Sequence, residues 1–385
     1  MKREESFGAC HTLATRGSLF KRAATTIDVS GVIENRTSRR GRGCGATLSR
    51  TSMHLDIDNP LVSIGIPTYN RSQSLVRAVE SALAQDYDNL EIVISDNASA
   101  DETETVCVEL CNTETRIRYI RQPKNLGMTE NFRQALAASH GAYFMWLSDD
   151  DWLDPSYISQ CVHFLTNNRD YVLVCGTEKY HSREAFLYEG TKIDLTEDSR
   201  IARVLSYYQK VSINGVFYGV ARSDLLAGLE LQHVLGGDWL FSAAVAYLGK
   251  VKMLETTSIH RSIAGESQDL GKLGLAMGMS TFQARNAHLA IALAVLSDIG
   301  WRSPTYRSSG KLTRLFLGLK AASAIILRFY LPLRLAPLSR RLAPLARRLA
   351  PAKRRVRAHS RRLHRLLDRH LLWRFQGRAD EHKDR

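Results

Sequence analysis

Long uncharged apolar runs are missing from this sequence. The best attempt, residues 312–331, is broken by Arg314, Lys320 and Arg328, short of the roughly 18–20 apolar residues that a spanning helix needs. No apolar segment follows Lys2 and Arg3, so an N-terminal secretory signal is not expected. Cysteine is sparse: Cys10, Cys44, Cys107, Cys111, Cys161 and Cys175 form no CxxC pair and no regular framework, which excludes a disulfide scaffold. Cys107 and Cys111 stand one helical turn apart, but no Cys or His pair completes a zinc set, and reduced structural thiols are expected. The glycine-rich phosphate loops of dinucleotide-binding and P-loop proteins are absent too, which weakens both of those readings.

What the chain does have is a normal apolar fraction, 44% over 385 residues, enough for a core of two or three folding units. Its formal charge of +14 is unevenly spread. Residues 1–52 carry 10 Lys and Arg against 4 Asp and Glu, and residues 327–385 carry 18 against 4. The middle, residues 53–326, holds 25 against 31 and is mildly acidic. Nucleic-acid binding by the folded part is therefore not implied by the basic balance. The leader, rich in Thr, Ser, Arg and Gly, reads as disordered, or as a gene-start artefact, because Met53 stands just before the first convincing strand.

From Pro60 onward, short apolar strands alternate with amphipathic helices. Residues 61–66 read as a strand stopped by Pro67, and Asn70 or Ser72 can cap a helix carrying Leu75, Val79, Ala82 and Leu83. Strands over 90–94, 117–120 and 143–147 follow, with helices over 99–111 and 131–138 between them. That alternation predicts an α/β fold, a mostly parallel sheet with helices on both faces. In such sheets ligands bind beyond the carboxyl ends of the strands. Those ends are polar here: Thr68-Tyr69-Asn70, Ser95-Asp96-Asn97 and Ser148-Asp149-Asp150-Asp151. Adjacent carboxylates repel, and hard oxygen donors suit Mg²⁺ or Mn²⁺ bridging to a diphosphate. The bland reading of the acidic run is a solvated loop that opens the next helix at Asp154-Pro155.

In their order, Val62-Ser63-Ile64-Gly65-Ile66-Pro67-Thr68-Tyr69-Asn70-Arg71, Ser95-Asp96-Asn97-Ala98-Ser99-Ala100-Asp101, Asn125-Leu126-Gly127 and Leu147-Ser148-Asp149-Asp150-Asp151-Trp152 resemble the signatures of family 2 glycosyltransferases with the GT-A (Rossmann-like) fold, over roughly residues 60–265. The resemblance implies transfer of a sugar from a nucleotide-diphosphate donor, usually with inversion and a divalent metal, Mn²⁺ or Mg²⁺, as in many bacterial surface-polysaccharide enzymes. It implies that Pro67, Thr68, Tyr69, Asn70 and Asp96 line the nucleoside, with Asp96 accepting from the base, and that Asn125 and Gly127 form the loop beneath the donor. Ser148 replaces the first acid of the usual Asp-x-Asp-Asp. Asp150 is then the expected metal ligand, with Asp151 beside it and Asp149 on the donor's ribose or sugar.

Gly236-Gly237-Asp238-Trp239 resembles the family's later Glu-Asp motif, with Gly237 in place of the first acid. Asp238 would be the base that takes the acceptor's proton, and the paired glycines would let backbone approach a sugar. A helix N-cap is the alternative for Asp238. His260, after a strand over 251–254, matches a position where some members place a metal or diphosphate ligand, or is a surface loop histidine.

The expected layout is a leader over 1–53, a GT-A domain over 54–265, a helical extension over 266–330 and a basic tail over 331–385. The tail repeats Arg-Leu-Ala-Pro with a period of seven, from Arg334, Arg341 and Arg348. Beyond the prolines it can form a basic amphipathic helix for an anionic membrane surface, placing the enzyme in the cytoplasm at the inner face of the membrane. A glycan or lipid-linked acceptor would suit that place. Two other functions stay open: a non-catalytic sugar-nucleotide-binding domain, given Ser148 and Gly237, and a nucleic-acid-binding protein through the basic tail, although no specific nucleic-acid module accompanies it.

Overall fold

The computed structural model describes residues 59–182, 185–263 and 269–335. The expected leader over 1–53 and the tail beyond residue 335 lie outside the described residues.

In chain order the elements are β1 (Val62–Thr68), α1 (Ser72–Leu83), β2 (Leu90–Asp96), α2 (Thr103–Thr113), β3 (Ile117–Arg121), α3 (Met128–Ala137), β4 (Tyr143–Trp146), β5 (Trp152–Leu153), α4 (Tyr157–Asn167), β6 (Tyr171–Ser182), β7 (Ala185–Glu189), α5 (Arg200–Lys210), β8 (Val220–Arg222), α6 (Ser223–Leu226), α7 (Gly237–Leu248), β9 (Lys250–Ser262), α8 (Leu270–Ala276), α9 (Thr281–Arg285), α10 (Ala287–Ser297) and α11 (Lys311–Ile325). Among the described residues the strands form one sheet in the order β3-β2-β1-β4-β8-β6-β9-β5, with β7 paired to β6.

The sheet is mixed rather than mostly parallel. Strands β1 to β4 pair in parallel as the alternation predicts, and β6 pairs β9 in parallel. The short β8 runs antiparallel to both β4 and β6. Two reversals restore direction, so β6 and β9 point the same way as β1 and β4. Pro67 does not stop β1, because pairing with β4 ends at Gly65↔Trp146 while pairing with β2 continues to Thr68↔Asp96. A proline is tolerated where one neighbour has already peeled away.

Alternation of side chains across β4 divides the core. Tyr143, Met145 and Leu147 pack with Leu75, Val79, Cys161 and Leu165 of α1 and α4, while Phe144 and Trp146 pack on the opposite face with α5 and α7. Ile291, Val295, Leu317, Ala321 and Ile325 from the expected helical extension join that second cluster. Helices α10 and α11 are thus part of the same core as the sheet. The four described cysteines are unbridged.

Candidate functional site

Because β1, β2, β4, β6 and β9 run the same way, their carboxyl ends share one edge of the sheet. Thr68, Asp96 and the Ser148–Asp151 turn lie at or beyond those ends, and Glu178 of β6 and the pair His260-Arg261 of β9 lie in the last few residues of their strands. The three consecutive acids then separate. Asp149 Oδ2 accepts from Thr68 Oγ1 at 2.8 Å. Asp150 Oδ2 accepts from Arg71 Nη1 at 2.9 Å, and the same nitrogen lies 3.7 Å from Asp149 Oδ1. Arg77 Nη2 donates to the Asp150 carbonyl at 2.8 Å and fixes the turn. Asp151 is turned away, with Arg261 Nε and the Ser262 backbone N–H both donating to it at 3.1 Å.

This geometry decides which acids fit a divalent ion. The Arg71 nitrogen between Asp149 and Asp150 is a stand-in cation, at a point where two carboxylates converge from the strand end. A two-carboxylate set completed by water and substrate phosphate suits Mg²⁺ or Mn²⁺. Asp149 and Asp150 therefore fit the expected metal. Asp151 departs from the metal-ligand expectation, since Arg261 and the Ser262 N–H already compensate both its oxygens and it is 1% exposed. His260 departs from it as well. Its Nε2 lies 2.8 Å from Asp154 Oδ1, its Nδ1 lies 2.9 Å from His181 Nε2, and the ring stacks on Trp152, so neither nitrogen is turned toward the acidic pair.

Arg261 is the centre that the sequence did not reveal. Besides Asp151 it reaches Glu178 Oε2 with Nη1 at 3.5 Å, and its guanidinium lies 4.3 Å over the Tyr218 ring. Tyr180 Oη donates to the same Glu178 oxygen. Glu178 stands on β6 and Arg261 on β9, so the pair exists only because those strands run parallel with Tyr180 opposite Arg261. Arg71 was visible inside the first motif, but nothing in its spacing gave it a partner. Glu178, Tyr218 and Asn214 carried no sequence signal.

On the nucleoside side, two loops hold each other. The Asn70 backbone N–H donates to Ser99 Oγ at 2.8 Å, and Asn70 Oδ1 accepts from the Ala100 N–H at 2.7 Å. Asn70 and Ala98 both adopt left-handed backbone, at φ 53 and 62, a strain typical of functional loops. Asp96 departs from the expected role of accepting from the base. It is fully buried, its Oδ1 held by Ser99 through N–H (2.9 Å) and Oγ (2.6 Å), its Oδ2 by Tyr119 Oη (2.8 Å). In this arrangement it braces the loop from behind. Tyr69 is exposed beside Pro67 and can present its ring to a base. Asn125 Oδ1 accepts from Asn97 Nδ2 and from the Gly127 N–H, and Gly127, at φ 85, opens α3.

Asp238 sits in the first turn of α7 rather than at its N-cap, which is Gly236. Asn214 Nδ2 donates to Asp238 Oδ2 at 3.0 Å, and Tyr207 Oη holds Asn214 in turn. The half-buried carboxyl is pushed up by burial, with Asn214 opposing the shift. The turn itself requires the paired glycines. Gly236 has φ 73, and a Cβ on Gly237 would lie 2.2 Å from the Gln232 carbonyl oxygen.

A stability prediction arises at Asp149. Burial, opposed by Arg71 and reinforced by Asp150 and Asp151, pushes its carboxyl from 3.8 up to about 7. Between those values the folded protein keeps a proton that the unfolded chain has released, so this residue's contribution to stability falls as pH rises through the window. Asp149→Asn removes that penalty, worth roughly 4 kcal/mol above pH 7 at 1.36 kcal/mol per pKa unit. Urea unfolding in chelator should show the variant more stable, with the gap widening from pH 5 to pH 8. Equal stability at both would contradict the assignment.

The family model described as Glycosyl transferase family 2 matches residues 63–227. A putative colanic acid biosynthesis glycosyl transferase of Escherichia coli K12 is 31% identical over 220 residues, covering 55% of this chain and 76% of that protein. An uncharacterized glycosyltransferase of Rickettsia prowazekii is 36% identical over 138 residues, 35% of this chain, and a second from Rickettsia typhi is 35% identical over 132 residues, 34% of this chain. The matched regions span only 42% and 40% of those two relatives' own length. In fold, the crystal structure of S. aureus TarS 1-349 in complex with UDP-GlcNAc superposes with a TM-score of 0.50 at 16% identity, covering 70% of this chain and 73% of that one. Strand-end motifs, GT-A architecture and these relatives agree: the chain belongs to glycosyltransferase family 2.

Proposed function

We propose that the enzyme moves a sugar from a nucleotide-diphosphate donor to a glycan or lipid-linked acceptor by a single, inverting displacement. The observation that carries this reading is the convergence of Asp149, Asp150 and Arg71 at the ends of β1 and β4. Two converging carboxylates beside an arginine would suit a divalent ion, Mn²⁺ or Mg²⁺, together with a diphosphate. The name of one relative, a putative colanic acid biosynthesis glycosyl transferase, supports a bacterial glycan as product.

Asp149 and Asp150 would hold the divalent ion, which supplies Lewis-acid stabilisation of the diphosphate leaving group. Tyr69 and the Pro67–Asn70 turn would flank the nucleoside, and the Asn125–Gly127 loop would lie beneath it. Asp238, held by Asn214, would take the proton from the acceptor hydroxyl. As that oxygen bonds to the anomeric carbon from one face, the carbon–oxygen bond to the diphosphate breaks on the other. Charge leaving with the diphosphate stays beside Arg71. The basic tail would keep the enzyme at the inner face of the membrane, where lipid-linked acceptors are found.

Calorimetric titration with UDP, GDP, dTDP and CDP, each with and without Mn²⁺, tests the donor site. One nucleotide should bind in a metal-dependent manner. Asp150→Asn should weaken it by more than the roughly 10–100-fold seen when even an outer partner of a metal ligand is lost. Binding of no nucleotide by the folded protein would overturn the donor site and this reading with it; metal-dependent binding without any sugar transfer would favour the non-catalytic sugar-nucleotide-binding reading.

A further inference from the structure

Helix α11 continues through a π-turn over Ile326–Tyr330, and, contrary to the expectation from Arg314, Lys320 and Arg328, the whole segment Lys311–Leu335 is long and apolar enough to cross a membrane by length and composition. One stripe of it is spent on the fold. Leu317, Ala321 and Ile325 are fully buried in the cluster that also contains Ile291 and Val295 of α10. The opposite stripe ought to be polar in a helix on a water-facing surface. Here it is Leu312, Leu315, Phe316, Leu319 and Leu327, between 43% and 84% exposed, with Ser323 the one polar residue among them. Positions 312, 316, 319, 323 and 327 recur at the three- and four-residue steps of one helical face. Lys320 stands at the edge of the stripe with its Nζ 5.5 Å over the Phe316 ring, the posture of a lysine whose stem lies along apolar surface.

We propose that this face of α11 lies in the plane of an anionic lipid bilayer, as an interfacial anchor. Charge selects that occupant. The described residues 299–335 contain Arg302, Arg307, Lys311, Arg314, Lys320, Arg328 and Arg334 and no Asp or Glu. An anionic surface attracts each nearby cation by about 1 kcal/mol. A second copy of the chain would set like charge against like charge across a two-fold contact. A spanning orientation would strip Leu317, Ala321 and Ile325 from the core, whereas an in-plane helix keeps them and buries only the outer stripe. The proposal does not rest on the identity of donor or acceptor, and it adds to the expected role of the tail a surface within the folded body.

The test is co-sedimentation of the full chain with phosphatidylcholine vesicles, and with the same vesicles containing phosphatidylglycerol. The parent should pellet with the anionic vesicles. Phe316→Glu with Leu319→Glu, both at exposed positions and with the tail intact, should cut partitioning at least about tenfold. Nucleotide binding in the same protein should be unchanged, which shows that it is folded. Equal partitioning of parent and variant would assign membrane contact to the tail alone and overturn the proposal. Failure of the parent to bind would overturn it too, as would a solution dimer that the double variant splits.

Discussion

Asp238→Asn should retain nucleotide binding and lose sugar transfer, with turnover falling by about 10²–10⁴, the usual contribution of a positioned general base. The substitution is isosteric, and Asn214 Nδ2 can still donate to the amide oxygen that replaces Asp238 Oδ2. Since burial already pushes the Asp238 carboxyl up, a neutral side chain costs the fold nothing at neutral pH. Loss of activity would then be chemical and not structural. A base must be ionised to act, so the parent's rate should fall as pH drops through the raised pKa of Asp238. The same limb should vanish from whatever residual rate the variant shows. Initial rates at saturating donor and acceptor decide it: equal activity in the two proteins would refute the base assignment.

The first half of this site was legible because its elements are local and periodic. Strands β1 to β4 alternate with helices whose apolar residues repeat at helical steps, and their register sets Thr68 beside Asp96 without long-range guesswork. The parallel-sheet rule then pointed to strand-end residues that the structure brings together, Thr68, Asp149 and Asp150 among them. What escaped the sequence depends on contacts across distant segments. β8 is three residues long, yet its double antiparallel pairing orients β6 and thereby brings Glu178 to the same edge as Asp151. The pairing of β6 with β9 joins residues about eighty positions apart, across segments with no readable turn signal. Three neighbouring aspartates looked equivalent in sequence. They differ in structure because the turn after β4 sends Asp149 toward Thr68, Asp150 toward Arg71 and Asp151 toward Arg261. Asp96 shows a related limit: a motif fixes residue type at a strand end but not the contacts its side chain makes with Ser99 and Tyr119. The glycines before Asp238 show the same limit, since their need arises from the Gln232 carbonyl and Ile291, neither within the motif.

Arg261 ties the two halves together, and its removal should carry the largest stability cost at the site. Asp151 and Glu178 are each 1% exposed, and the guanidinium is the positive charge they share. Burial pushes both carboxyls up, and Arg261 is the first group opposing that shift in each. Arg261→Ala leaves two buried carboxylates without their counter-charge, and removing one partner of a buried pair typically costs about 3–5 kcal/mol. The sign of the pH dependence follows. Without the arginine both acids bind protons more readily in the folded state, so the variant's deficit should be greatest near pH 8 and shrink toward pH 5. Arg261→Lys should recover part of the loss, since it restores charge but not a fork that can reach Asp151 and Glu178 at once. Urea unfolding of the three proteins across that pH range provides the measurement. An alanine variant within about 1 kcal/mol of the parent at pH 8, the worth of an exposed pair, would show that Asp151 and Glu178 do not depend on Arg261. The link between β6, β9 and the acidic turn would then have to be sought in the Tyr180 and Tyr218 rings that pack on it.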